Sequence, residues 1–150
     1  CADSLAPMPF ILVPAAATDW DLAWAIQREA FLDLVNQTSG GWTEELVQQC
    51  ASAWAPEHTR MVHVEDEVVG WVRLEHRADH DWLDLIVVAK SLHGRGLGAA
   101  VMRQLLDEAR SRGVPLRLSV YRTNPARRLY ARLGFLETPR DELRVLMVAR

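Results

Sequence analysis

Trp82-Leu83-Asp84-Leu85-Ile86-Val87-Val88, followed after a short gap by His93-Gly94-Arg95-Gly96-Leu97-Gly98, is the stretch that decides the fold. The first part is nearly continuously apolar after Asp84, the pattern of a strand buried on both faces. Gly94, Gly96 and Gly98 then alternate with Arg95 and Leu97, which reads as a tight turn. Beyond it Met102, Leu105, Leu106 and Ala109 recur at helical spacing, marking the core face of a helix from about Gly96 to Arg112 that Gly113 stops. A strand running through a glycine-rich turn into a helix is a general anion-binding device. Glycines let the backbone approach the ligand, and the first free N–H groups of the helix point at it. A phosphate or pyrophosphate is the natural guest, with Arg95 able to add a charge-assisted contact.

Outward from this unit the rest of the chain falls into place. Phe10 to Val13 reads as a first strand ended by Pro14. A helix capped at Thr18 or Asp19 follows, with Ala23, Ile26, Ala30 and Leu34 on its apolar face, broken at Ser39-Gly40-Gly41. Thr43 opens a second helix carrying Val47, Cys50, Ala51 and Trp54. Arg60–Val64 and Val68–Leu74 flank the turn Glu65-Asp66-Glu67 as a hairpin. After the long helix, Pro115–Val120 is a strand. Pro125 opens a helix to about Leu133, ended by Gly134, and Phe135–Thr138 and Leu143–Val148 are the last strands. The order β-α-α-β-β-β-α-β-α-β-β predicts a mixed α/β (α+β) fold with one central, mostly antiparallel sheet flanked by helices.

Composition bounds the function. The chain has 150 residues, 49% of them hydrophobic and 25% charged, which suits one compact domain with its own core. Residues 1–9, starting at Cys1 rather than Met, read as a disordered or processed N-terminal segment, and residues 10–150 as the domain. Cys1-Ala2-Asp3 lacks the charged and apolar regions of a signal peptide, and no apolar run is long enough for a membrane span. Two cysteines allow no disulfide framework or thiolate metal site, and they fit a reducing, cytoplasmic setting. The formal net charge of −3 disfavours nonspecific binding to nucleic acid; no face looks basic by sequence, and Arg127, Arg128 and Arg132 suit an exposed helix face.

The turn fits neither familiar phosphate motif. No Lys followed by Ser or Thr comes after Gly98, as a P-loop requires, and Gly94-x-Gly96-x-Gly98 lacks the dinucleotide spacing and its later acidic residue. Val88 followed by His93-x-x-Gly96-x-Gly98-Ala99 instead resembles the acyl-CoA-binding motif of the GNAT superfamily of N-acetyltransferases. Asn124-Pro125-Ala126-Arg127-Arg128-Leu129-Tyr130-Ala131-Arg132-Leu133-Gly134-Phe135 resembles that superfamily's second motif. The likeness spans roughly residues 10–148.

The resemblance implies acetyl-CoA as co-substrate, no metal, and a small-molecule or peptide amine as acceptor. It also implies that the strand before the turn splays from its neighbour, leaving the backbone of Ile86, Val87 and Val88 free for the pantetheine arm. Main-chain N–H groups of Gly94, Arg95, Gly96, Leu97, Gly98 and Ala99 would hold the pyrophosphate. Asn124 matches a cofactor-touching position, and Tyr130 the acid that protonates the departing CoA thiolate. Neither nucleic acid nor membrane is implied as a partner; a homodimer is one assembly the likeness allows. Three departures stand out. His93 replaces the usual Gln or Arg, Lys90 sits where Pro is common, and Asn124 lies one residue closer to Tyr130 than in the commonest form.

The residues themselves leave the general base open. Asp84 is the first candidate, because a carboxylate within an apolar strand invites a raised pKa; its structural alternative is to face solvent or pair with Arg73. Glu75 comes second, His80 or Asp81 third. Acetylases of the ribosomal-protein type often place a glutamate five residues before the second motif's Asn. That position is Ser119 here, which does not support their mechanism. Trp24, Trp42 and Trp71 suit either an acceptor pocket or the core, with core favoured by the area they bury. Cys50 lies on an apolar helix face and reads as core. A module that binds acyl-CoA without catalysis is the rival reading; Tyr130 argues against it, since binding alone needs no acid at the thiol.

Overall fold

A computed structural model describes residues 9–150. The elements follow the expected order with one helix more between the first two strands: β1 (Ile11–Pro14), α1 (Trp20–Ala30), α2 (Leu32–Ser39), α3 (Glu44–Ser52), β2 (Thr59–Val64), β3 (Glu67–His76), β4 (Asp81–Val88), α4 (Leu97–Arg112), β5 (Leu116–Tyr121), α5 (Ala126–Arg132), β6 (Leu136–Pro139) and β7 (Arg144–Ala149). The strands form one seven-stranded sheet in the order β1-β2-β3-β4-β5-β7-β6. β4 and β5 run parallel, while β1–β2, β2–β3, β5–β7 and β6–β7 are antiparallel. The fold is thus the mixed α/β domain that the element order predicted. The expected segment 1–9 falls outside the described residues except at Pro9. Among the described residues no helix is long and apolar enough to cross a membrane.

The chain gathers into two compact units. One runs to Arg73 and resumes over Ile86–Leu97; the other comprises Leu74–Leu85 and Gly98–Arg150. In the first unit the α3 start is set by the Thr43 hydroxyl, which accepts the Leu46 N–H at 3.2 Å and so satisfies one orphan donor of the first turn. The expected single helix before it is in fact two. Phe31, at φ −102° and ψ 7°, leaves the helical region and separates α1 from α2. Five tryptophans form a continuous chain of ring contacts: Trp42–Trp24 at 4.9 Å, Trp24–Trp20 at 5.8 Å, Trp20–Trp54 at 5.5 Å and Trp54–Trp71 at 5.6 Å. Trp71 is fully buried, and its indole N–H donates to the Ala23 carbonyl at 3.0 Å. Of the three tryptophans that suited either core or pocket, Trp71 is core, whereas Trp24 and Trp42 are half-buried and pack on each other.

The second unit buries one face of its strands, with Leu83, Leu116, Leu118, Val120, Val145 and Met147 all under cover, and one face of α4 through Val101, Met102, Leu105, Leu106 and Ala109. The end of α4 is fixed by charge. Asp81 has no exposed surface, and its carboxylate accepts from the Arg112 guanidinium and, at 2.8 Å, from His76 Nδ1. Arg112 also donates to the Arg77 carbonyl at 3.1 Å. A buried carboxylate held by a guanidinium and an imidazole avoids the penalty of an unpaired interior charge.

Candidate active site

β4 is not buried on both faces as its apolar run suggested. Asp81, Leu83 and Val87 are buried, whereas Trp82, Ile86 and Val88 are half-buried and Asp84 is exposed. Its parallel ladder with β5 pairs Asp81 with Leu116, Trp82 with Arg117 and Leu83 with Leu118, and stops there, although β4 continues to Val88. On its other side β4 is held tightly. The Ala89 N–H donates to the Val69 carbonyl at 2.8 Å, and Gly70 lies so close to Val87 that a Cβ would fall 2.3 Å from the Val87 carbonyl oxygen. Successive residues of a strand direct their N–H and C=O to alternate edges. With Val87 and Ala89 turned toward β3, Ile86 and Val88 turn theirs to the edge that has left β5.

The strand leads into a one-turn helix at Lys90–Leu92, where Lys90 Nζ lies 3.7 Å from the Asp33 carboxylate. His93, the unexplained head of the turn, folds back instead of outward. Its Nε2 lies 2.7 Å from the Val88 carbonyl oxygen, so Nε2 carries the proton and donates, and the imidazole fixes the exit of the strand relative to the turn. Gly94 and Gly96 then adopt φ values of 77° and 83°, which side-chain-bearing residues rarely reach, and α4 begins at Leu97. A Cβ at either glycine would meet nothing within 4 Å, so conformation rather than crowding demands glycine here.

In the second unit Tyr130 sits on α5, buried, with its ring 5.8 Å from Phe135. Burial pushes its hydroxyl up to about 12, because a phenolate there would lack water. Asn124 has a local duty: its side-chain oxygen accepts the Ala126 N–H at 2.9 Å and caps the start of α5. Arg127 is likewise committed, forking onto the Glu137 carboxylate at 2.8 Å and donating to the Arg122 carbonyl at 2.7 Å.

An open cleft of about 820 Å³ lies on the same unit, floored by the sheet face that carries Trp82, Asp84, Arg117 and Ser119. Register explains the grouping, since Trp82 lies opposite Arg117 and Ser119 opposite Leu146. Of the proposed bases, Asp84 and His80 line this cleft and Glu75 does not. The premise of an interior Asp84 fails, because its side chain stands on the exposed face. Glu75 is half-buried and lies 3.4 Å from the Arg77 guanidinium. Asp81 is consumed by its pair with Arg112. His80 Nδ1 lies 2.7 Å from the Asp79 carboxylate. A carboxylate only accepts, so Nδ1 bears the proton and donates. The bond from His80 in turn holds the Asp79 carboxyl below the usual carboxylate range. In the first unit Cys50 is half-buried, with the Gln27 amide 3.5 Å from its sulfur; burial pushes the thiol up, the opposite of what a nucleophile needs.

The sequence of residues 21–135 matches the family model described as the acetyltransferase (GNAT) family. The chain belongs to the GNAT family. It is thereby an acyl-CoA-dependent N-acyltransferase, as its two motifs implied. Solved GNAT structures share its fold. The PaiA N-acetyltransferase of Thermoplasma acidophilum, in complex with coenzyme A, superposes with a TM-score of 0.80 at 14% identity over 95% of this chain and 99% of that one. An acetyltransferase from Thermus thermophilus gives 0.75 at 19% identity over 97% and 99%. The ribosomal-protein-S18-alanine N-acetyltransferase of Escherichia coli gives 0.69 at 24% identity over 93% and 92%. No curated protein matches the sequence.

Proposed function

We propose that this GNAT chain moves an acetyl group from acetyl-CoA to an amine by direct attack. The observation that carries the reading is the early end of the β4–β5 ladder at Leu83 and Leu118, with the edge of Ile86 and Val88 running on into a turn whose glycines hold φ near 80°. The edge N–H groups of Ile86 and Val88 and the Ile86 carbonyl, which a neighbouring strand has left, suit the amide-bearing pantetheine arm, while the Val88 carbonyl accepts from His93. The free N–H groups at the start of α4 suit a pyrophosphate, for which the helix dipole adds favourable charge. Coenzyme A bound to a neighbour of the same fold accords with this reading.

In this mechanism the amine nitrogen attacks the thioester carbonyl carbon. A C–N bond forms, a C–S bond breaks, and the Val88 N–H donates to the oxygen that gains charge in between. The acceptor enters as an ammonium and must lose a proton first. Asp84 receives it through water. His80 is the other candidate in the cleft, its ring anchored through Nδ1 on the Asp79 carboxylate. Tyr130 gives the leaving sulfur its proton. Raised to about 12, its hydroxyl stays protonated across the working range, and a thiolate forming away from water is itself made more basic by the same desolvation.

Thermal melting with acetyl-CoA is the decisive test. Saturating acetyl-CoA raises the melting temperature of the native chain and not that of Gly96→Glu, whose side chain replaces the hydrogen of a left-handed glycine in the turn. Released CoA thiol in a screen of amines then reports transfer. No thermal shift of the native chain at saturating acetyl-CoA would overturn the reading.

A further inference from the structure

The cleft on the second unit has a character that the overall negative charge of the chain conceals. Four arginines line it: Arg77, Arg117, Arg140 and Arg144. Asp84 is the one carboxylate among its lining residues. The net charge of the whole chain is −3, so positive charge is concentrated here against the trend of the rest. These four come from the β3–β4 connection, β5, the residue after β6 and β7, places far apart in sequence that the sheet brings together.

Several of these guanidiniums are oriented by aromatic neighbours. Arg77 and Arg140 both stand over the Trp82 ring, at 5.4 and 6.0 Å from its centroid, and Arg144 stands over Tyr121 at 4.8 Å. Arg144 also reaches the Tyr121 hydroxyl at 3.1 Å. Aromatic faces orient a guanidinium without neutralising it. Outside the lining, Arg77 lies 3.4 Å from the Glu75 carboxylate, and the exposed Asp141 carboxyl, held below the usual carboxylate range chiefly by the Leu143 and Arg144 backbone N–H groups, also feels the Arg144 and Arg140 guanidiniums. On the floor, Arg117 Nε and the Ser119 hydroxyl are buried with no hydrogen-bond partner among the described residues. Buried polar atoms without partners are uncommon in native proteins and mark where a partner of another kind belongs.

We propose that this cleft binds an acceptor amine whose substituents carry carboxylates, an acidic amino acid or the acidic end of a peptide. The carboxylates seat between the guanidiniums, which match them as planar two-pronged donors, and the amine turns to the side of Asp84, the one group of the lining that attracts a cation. The identification of the bound molecule as an acceptor rests on the acetyltransferase reading; the recognition of carboxylates does not. A volume of about 820 Å³ exceeds a single amino acid and leaves room for two or three residues of an extended peptide end.

The test uses the full chain with acetyl-CoA and four acceptors: L-glutamate and three peptides with the same free α-amine and otherwise Glu-rich, Ala-rich or Lys-rich composition. CoA thiol release gives kcat and KM, and equilibrium titration of each acceptor gives its affinity without turnover. The expected result is a kcat/KM for L-glutamate or the Glu-rich peptide about tenfold or more above that of the Ala-rich peptide, the size of one hydrogen bond to a charged group. The two acidic arms distinguish a free amino acid from a peptide end. Arg140→Gln and Arg144→Gln, both at exposed positions, raise KM for the acidic acceptor about tenfold without changing acetyl-CoA affinity. Equal use of the Ala-rich or Lys-rich peptide, or an acidic KM indifferent to both substitutions, overturns the proposal while leaving acetyl transfer standing. If no acceptor is acetylated but acidic ligands still bind and are lost with Arg140 and Arg144, the cleft is upheld and the acetyltransferase chemistry falls.

Discussion

Replacing Tyr130 with Phe removes one hydroxyl from a buried ring and leaves its packing on Phe135 in place. Two consequences follow from the same burial. The first is kinetic: loss of a positioned acid lowers kcat by about 10²–10⁴-fold with little change in acetyl-CoA affinity. The second is thermodynamic. The folded hydroxyl titrates at about 12 against an ordinary value of 10.0. Between those two values the unfolded chain has lost this proton and the folded chain has kept it, so stability falls as pH rises. The contribution is fully present below pH 10 and is lost as pH climbs through 12, and two units at about 1.4 kcal/mol each make it roughly 3 kcal/mol. Chemical denaturation at intervals from pH 8 to 12 reads this directly, with kcat from CoA thiol release measured beside it. The native chain loses stability steeply above pH 10, and Tyr130→Phe loses about 3 kcal/mol less. Tyr121→Phe, at an exposed tyrosine, serves as the control. Unchanged kcat in Tyr130→Phe refutes the acid role; an alkaline stability profile identical to the native one refutes the burial argument beneath it.

Other perturbations probe the frame around the site. Gly70→Ala drives a Cβ to 2.3 Å from the Val87 carbonyl oxygen and forces β3 and β4 apart, so a loss of about 1–3 kcal/mol is expected by urea denaturation, as for other overpacked positions. Arg112→Met strands the buried Asp81 carboxylate without its guanidinium, for a loss of about 3–5 kcal/mol in the same assay; adding Asp81→Leu to it recovers much of that loss, since no unpaired carboxylate is then left in the interior.

The parts of the fold set by local chemistry were legible in the sequence. Thr43 announces a helix because a hydroxyl there satisfies a first-turn N–H, and Gly113 and Gly134, at φ 74° and 99°, end their helices because few other residues adopt that conformation. The break at Phe31 carries no such mark: neither Gly nor Pro stands there, and only the three-dimensional packing of α1 and α2 decides it. β4 misleads for a related reason. An apolar run reports what a strand's faces prefer and not what covers them, so the open side of Ile86 and Val88 reads as interior. The turn was visible because its three glycines fall within five residues, whereas His93 was opaque, its partner being a backbone carbonyl that no side-chain pattern records. The arginine cleft lay beyond reach for the plainest reason. Its cations are spread from Arg77 to Arg144, and only sheet register gathers them.

The tryptophan chain has a consequence for anyone who watches this molecule by light. Five of its six indoles touch one another in the first unit, close enough for excitation to pass between them, so ultraviolet emission and near-ultraviolet dichroism report chiefly on that unit. Trp82 is the single indole of the second, set on the cleft floor beneath two guanidiniums. The chain therefore carries two separable optical signals, one a collective property of the first unit and the other a lone emitter at the place where an anion would arrive.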